Sequence, residues 1–140
     1  MRFMILLKSD VTAEAGAAPD KTLLAEMCHY HQALAKAGVL LAAEGLHPSV
    51  HGARVRFNGH QRTVTEGPFT DSQTLIAGFW LIQAKSREEA IEWVKRCPNT
   101  GDAEREIEIR QVFEAADFCD AFTSEPMEPE LLRTRSGTSH

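Results

Sequence analysis

Apolar positions along the chain change their spacing several times, and each change marks a new element. Phe3, Ile5 and Leu7 alternate with Met4 and Leu6. Both faces of this first segment are therefore apolar, as in a strand covered on two sides. Ser9 to Pro19 is rich in Ala, Gly and small polar residues without a sustained period, and reads as a loop. From Lys21 to Ala37 the residues Leu23, Leu24, Met27, Tyr30, Leu34 and Ala35 recur at helical spacing, with Asp20 as N-cap and Gly38 as the stop. Val39 to Ala43 is a second strand, and Glu44-Gly45-Leu46-His47-Pro48 turns the chain.

Arg54 to Phe57 and Arg62 to Thr65 flank Asn58-Gly59, a sequence that favours a tight hairpin turn because both central residues tolerate positive φ. The outward face of this hairpin is expected to carry Arg54, Arg56 and Arg62. Gly67-Pro68 ends it. Gly78 to Ile82 is another strand apolar on both faces, and Ser86-Arg87-Glu88-Glu89 has the spacing of a capping box. The helix that follows is expected to run to Cys97, where Pro98 stops it. Glu106 to Phe113 alternates, with Ile107, Ile109 and Phe113 on one face and Glu108 and Arg110 on the other.

The order strand, helix, strand, hairpin, strand, helix, strand predicts an α+β fold, a ferredoxin-like βαββαβ frame with an inserted β-hairpin. Both helices then cover one sheet face. The other face is too apolar to remain in water, so a homodimer is expected. Residues 1–118 form the predicted domain. Residues 119–140, with Pro126, Pro129 and a Ser/Gly/Thr ending, are expected to be a loosely held extension.

Composition narrows the function classes. A chain of 140 residues, 43% hydrophobic and 25% charged, can bury one core and leaves little for a second domain. Its net charge of -5, from 15 basic and 20 acidic residues without a basic block, argues against a nucleic-acid partner. The apolar N-terminal run is too short for a signal peptide or membrane span, so a cytoplasmic protein is expected, with no membrane partner. The 3 cysteines, Cys28, Cys97 and Cys119, are widely spaced, suggest neither a disulfide framework nor a zinc site, and read mostly as small core residues. His47 and His51 straddle Pro48 and share no helix face, so neither a metal site nor a cofactor is expected. P-loop, dinucleotide and serine-hydrolase motifs are absent from the sequence.

Several side chains remain as candidates for chemistry. His31 falls among Leu24, Met27 and Leu34 on the helix face that should meet the sheet, whereas His29 faces water. A general base is one role for His31, and a core histidine with one satisfied hydrogen bond is the other. Glu44, at a strand end, either forms an acid-base pair with His31, or caps a turn or pairs with one of the hairpin arginines. Glu108 and Arg110 share a strand face and suit either a small polar ligand or an ion pair at a dimer interface.

Ordered motifs then point to a family. Val39-Leu40-Leu41, Glu44-Gly45-Leu46, Thr63-Val64-Thr65-Glu66-Gly67-Pro68-Phe69, Gly78-Phe79-Trp80 and Glu89-Ala90-Ile91-Glu92-Trp93 before Cys97-Pro98 resemble the DGPF branch of YCII-related proteins, from Met1 to Phe118. The resemblance implies a dimeric α+β barrel and genomic company with extracytoplasmic-function sigma factors. It also implies that Glu66, at the namesake Asp position, and Asp71, an acid shortly after Pro-Phe, line a small pocket; Asp71 alternatively shapes an Asx-turn. The His-Asp pair proposed for the wider family does not carry over, because Met27 stands at the position of that His. Two functions follow as expectations. One is a small-molecule-binding or accessory protein; the other is a cofactor-free oxygenase or isomerase using His31 and Glu44.

Overall fold

The computed structural model describes residues 1–16, 20–70, 74–99 and 104–118. In chain order these form β1 (Arg2–Lys8), α1 (Val11–Glu14), α2 (Lys21–Lys36), β2 (Leu40–Gly45), a 3-10 turn (Ser49–His51), β3 (Ala53–Asn58), β4 (Gln61–Glu66), β5 (Ile76–Gln83), α3 (Arg87–Lys95), β6 (Ile107–Gln111) and a last 3-10 turn (Ala115–Phe118). The main sheet runs β2-β5-β1-β6, with each neighbouring pair antiparallel. This is the strand order of a ferredoxin-like frame, a mixed α+β fold as the alternation implies.

Both long helices lie on one face. Tyr30 and Leu34 of α2 and Ala90 of α3 bury against Phe3 and Ile5 of β1 and Trp80 and Ile82 of β5. The register pairs Phe3 with Ile82 and Ile5 with Trp80, so these four bulky side chains form one continuous floor under the helices. Tyr30 ties the helices together, its hydroxyl donating to the Trp93 carbonyl at 2.6 Å. Burial pushes this phenol far above its ordinary value, so it stays a donor throughout the accessible pH range.

Capping follows the sequence closely at one helix and loosely at the other. Ser86 Oγ accepts from Glu89 N at 3.1 Å, while the Glu89 carboxylate accepts from Lys85 N at 2.9 Å, one residue before the usual partner of a capping box. Asp20 stands at the N-cap of α2, but only its carbonyl is engaged, by Leu24 N at 2.9 Å. After α2, Gly38 takes φ +73°, the left-handed conformation that ends a helix without a Cβ penalty.

Several details differ from the periodicity. The segment after β1 contains the short helix α1, held by Asp10 Oδ1 accepting from Ala13 N at 2.7 Å. Strand β2 begins and ends later than expected, because Val39 is spent as a buried plug that also accepts from Gln83 N. Helix α3 stops at Lys95, two residues short of Cys97. Phe113 lies beyond β6, largely exposed, with its ring 5.0 Å from Phe118.

The hairpin of β3 and β4 forms its own two-stranded sheet around Gly59, whose φ is +61°. Every one of its strand residues is exposed. Val55 pairs with Val64 and Phe57 with Arg62, so these side chains share one face with Ala53. Arg54 and Arg56 occupy the other. Arg62 therefore does not join them as expected; its guanidinium lies over the Phe57 ring at 4.5 Å.

Candidate functional site

The sheet face away from the helices is built by the alternate residues of each strand. Leu6 pairs with Phe79 and Met4 with Leu81, and Glu44 on β2 stands beside Phe79. On β6, Glu108 and Arg110 stand beside Leu6 and Met4. Met4, Leu6, Phe79 and Leu81 are each half-buried, an apolar centre with charged flanks. Glu108 accepts from Arg110 at 3.2 Å and lies 3.4 Å from Lys8 Nζ. Arg110, through its hydrogen bond, and Lys8 together hold this carboxyl below its usual range. Its charge is thus compensated within the chain.

His31 stands on the opposite side. It packs edge-on to Trp80, with ring centroids 5.4 Å apart at 86°, and its Nε2 is enclosed without a hydrogen-bond partner among the described residues. Burial lowers its pKa, so the ring is neutral at pH 7. Glu44 pairs with Phe79, whose neighbour Trp80 carries the His31 contact; successive strand residues point to opposite faces. Within one chain, His31 and Glu44 therefore do not meet. Glu66 is exposed at the end of β4, opposite Ala53 at the hairpin base. Asp71 lies outside the described residues, as does Cys119.

A junction that periodicity does not reveal anchors the hairpin. Glu14 accepts from Ser49 N at 2.9 Å and from Ser49 Oγ at 2.5 Å, and Ser49 Oγ accepts from Phe69 N at 2.9 Å. Arg54 covers the Phe69 ring at 3.9 Å. Gly67 is obligatory here, since a Cβ would lie 1.7 Å from the Ser49 carbonyl oxygen. His47 and His51 sit nearby with ring centroids 5.4 Å apart, and no cluster of three or more metal-ligating side chains forms among the described residues.

On the helix side, a cavity of about 350 Å³ opens between α3 and the edge strand β6. Ile91 and Val94 of α3 and Ile107 and Ile109 of β6 form its apolar floor, and Lys95, Cys97 and Arg105 stand around it. Ile109 and Ile107 pair with Ile5 and Leu7, which fixes them on the helix face. The helix is nine residues long and ends at Lys95, so among the described residues part of the edge strand has no helix above it. Of the three cysteines, read mostly as small core residues, Cys97 is half-buried at this cavity and packs against the core, whereas Cys28 is exposed on α2. Burial raises the Cys97 thiol, an effect Arg105 only partly offsets, which keeps it protonated and poorly nucleophilic at pH 7. Among its described lining residues, the cavity therefore offers no activated thiol.

The YCII-related domain pattern matches residues 1–116, nearly the whole described chain. The chain belongs to the YCII-related family. An uncharacterised protein of Rhizobium meliloti (strain 1021) is 24% identical over 112 residues, covering 79% of this chain and 90% of that one. Its name carries no activity. This YCII-related chain also has no helix among its described residues that is long and apolar enough to cross a membrane.

Proposed function

We propose that this YCII-related chain is a small-molecule-binding protein that works as a homodimer. The observation that carries the binding reading is the α3–β6 cavity, whose volume lies at the lower end of those that hold small ligands. Dimerisation is supported by the open sheet face, where Met4, Leu6, Phe79 and Leu81 have no second layer above them among the described residues. A sheet with two apolar faces needs a cover on both, and a second copy supplies it symmetrically. Pairing two open faces gives a dimeric α+β barrel with the helices outside, so each cavity stays accessible. Glu108 and Arg110 then lie at the interface, as one of their two sequence readings has it.

The motif from Thr63 to Phe69 favours the DGPF-type branch, with Glu66 replacing its Asp on a longer arm. An accessory role beside an extracytoplasmic-function sigma factor, in the cytoplasm, belongs to the same reading. The test is a thermal-shift screen of metabolite-sized compounds on the natural chain and on the cavity-filling variants Val94→Phe and Ile109→Phe. Compounds that raise the Tm of the natural chain should lose that effect in both filled variants. A response kept in full by both would place the ligand elsewhere and overturn the reading.

A further inference from the structure

The α3–β6 cavity combines two chemistries. Below are four aliphatic side chains, and around them stand two cations, with no acidic residue among the described lining. Lys95 and Arg105 are the charged groups of this described lining, although Glu104 and Glu106 flank Arg105 in the chain. Arg105 is half-buried, donates to the Pro98 carbonyl at 3.4 Å, and meets no carboxylate among the described residues. A guanidinium has five donors in a planar fork, so one long bond leaves most of the fork for another acceptor. Lys95 pairs with Glu92 at 3.2 Å, but both are well exposed, and such surface pairs exchange partners at little cost.

We propose that this cavity binds a small organic carboxylate, its apolar body on Ile91, Val94, Ile107 and Ile109 and its carboxylate on Arg105, with Lys95 beside it. The inference rests on the small-molecule reading above and names the ligand class of that same cavity. An apolar floor alone would accept any oil-like molecule. The fork of Arg105 adds selectivity, because it matches a carboxylate with two parallel hydrogen bonds that an alcohol cannot reproduce.

Cys97 lines the cavity and reports its occupancy, with exposed Cys28 as an internal control. The full chain is alkylated with iodoacetamide in the presence of octanoate or octanol, and each cysteine's rate is followed by peptide mass spectrometry. At about nine-tenths occupancy octanoate slows Cys97 about tenfold by mass action and leaves Cys28 unchanged. Octanol at the same concentration protects far less. Arg105→Ala weakens octanoate about tenfold or more through loss of the charge-assisted bonds, and Arg105→Lys falls between. Far-UV circular dichroism verifies that both variants keep the fold.

Equal protection by octanol, or undiminished octanoate protection in Arg105→Ala, overturns the carboxylate inference while leaving the cavity as a binding site. If neither probe slows Cys97, the carboxylate inference falls as well. The binding reading itself then stands or falls on the filled-variant screen.

Discussion

Replacing Phe79 by Asp puts a charge at the middle of the open sheet face, between Leu6 on β1 and Glu44 on β2. The buried core lies on the other face, so the isolated chain should keep its fold. In a dimer built through this face both copies carry the substitution. A carboxylate enclosed there finds Glu44 beside it, while Lys8 and Arg110 already serve Glu108. Taking about 2 kcal/mol per copy for a partly hydrated, unpaired charge gives about 4 kcal/mol in all, or about a thousandfold in the dimer dissociation constant. Light scattering behind size exclusion and sedimentation equilibrium, at micromolar protein, measure this directly. The natural chain should run as a dimer and the variant as a folded monomer. A natural chain that is a stable monomer, or a variant that dimerises as tightly as the natural chain, would refute the reasoning.

Other substitutions probe other parts of the account. Leu34→Ala opens a void under α2 at a fully buried side chain, and should cost about 2–5 kcal/mol in urea unfolding. Tyr30→Phe removes the bond to the Trp93 carbonyl and should cost about 1 kcal/mol, visible as an earlier unfolding midpoint with an unchanged slope. Gly67→Ala forces a Cβ against Ser49, so the Glu14–Ser49–Phe69 junction should open, seen as faster amide exchange at Ser49 and Phe69. His31 has a folded pKa below its unfolded one, so the unfolded chain takes up the proton first. Its contribution leaves stability unchanged above the unfolded value and lowers it as pH falls from there through the folded value. In His31→Phe the acid-side slope of urea stability should flatten, and an unchanged slope would remove His31 as its source.

The main frame was legible because it depends on spacing. Phe3, Ile5 and Leu7, Trp80 and Ile82, and Tyr30 and Leu34 have periods that dictate which faces meet, and those faces do form the core. The hairpin was legible from Asn58-Gly59, but its two turn residues are Gly59 and His60, and Asn58 pairs with Gln61 in the ladder. Only Gly59 takes positive φ, so the turn with both Asn58 and Gly59 at positive φ does not form. What escaped was set by displacement between elements. That Glu44 and His31 fall on opposite sides follows from the register of β2 on β5, where a shift between Leu40 and Ala42 resets which residues face the helices. No spacing within β2 reports a bulge in its pairing. The α3–β6 cavity likewise depends on where a short helix sits over an edge strand. Ile91, Val94, Ile107 and Ile109 announce a buried face, but not that it stays partly open. The Glu14–Ser49–Phe69 junction joins residues far apart in the chain through polar atoms, which hydrophobic periodicity does not sense.

The account centres on a ligand held between α3 and β6 in a chain whose open sheet face pairs with a second copy. Methyl-labelled NMR spectra tested against pools of small organic compounds address this most directly. The account predicts compounds that shift the methyls of Ile91, Val94, Ile107 and Ile109 while those of Met4, Leu6 and Leu81 stay fixed. Shifts confined to the open-face methyls, or no compound that moves the four cavity residues, would contradict it.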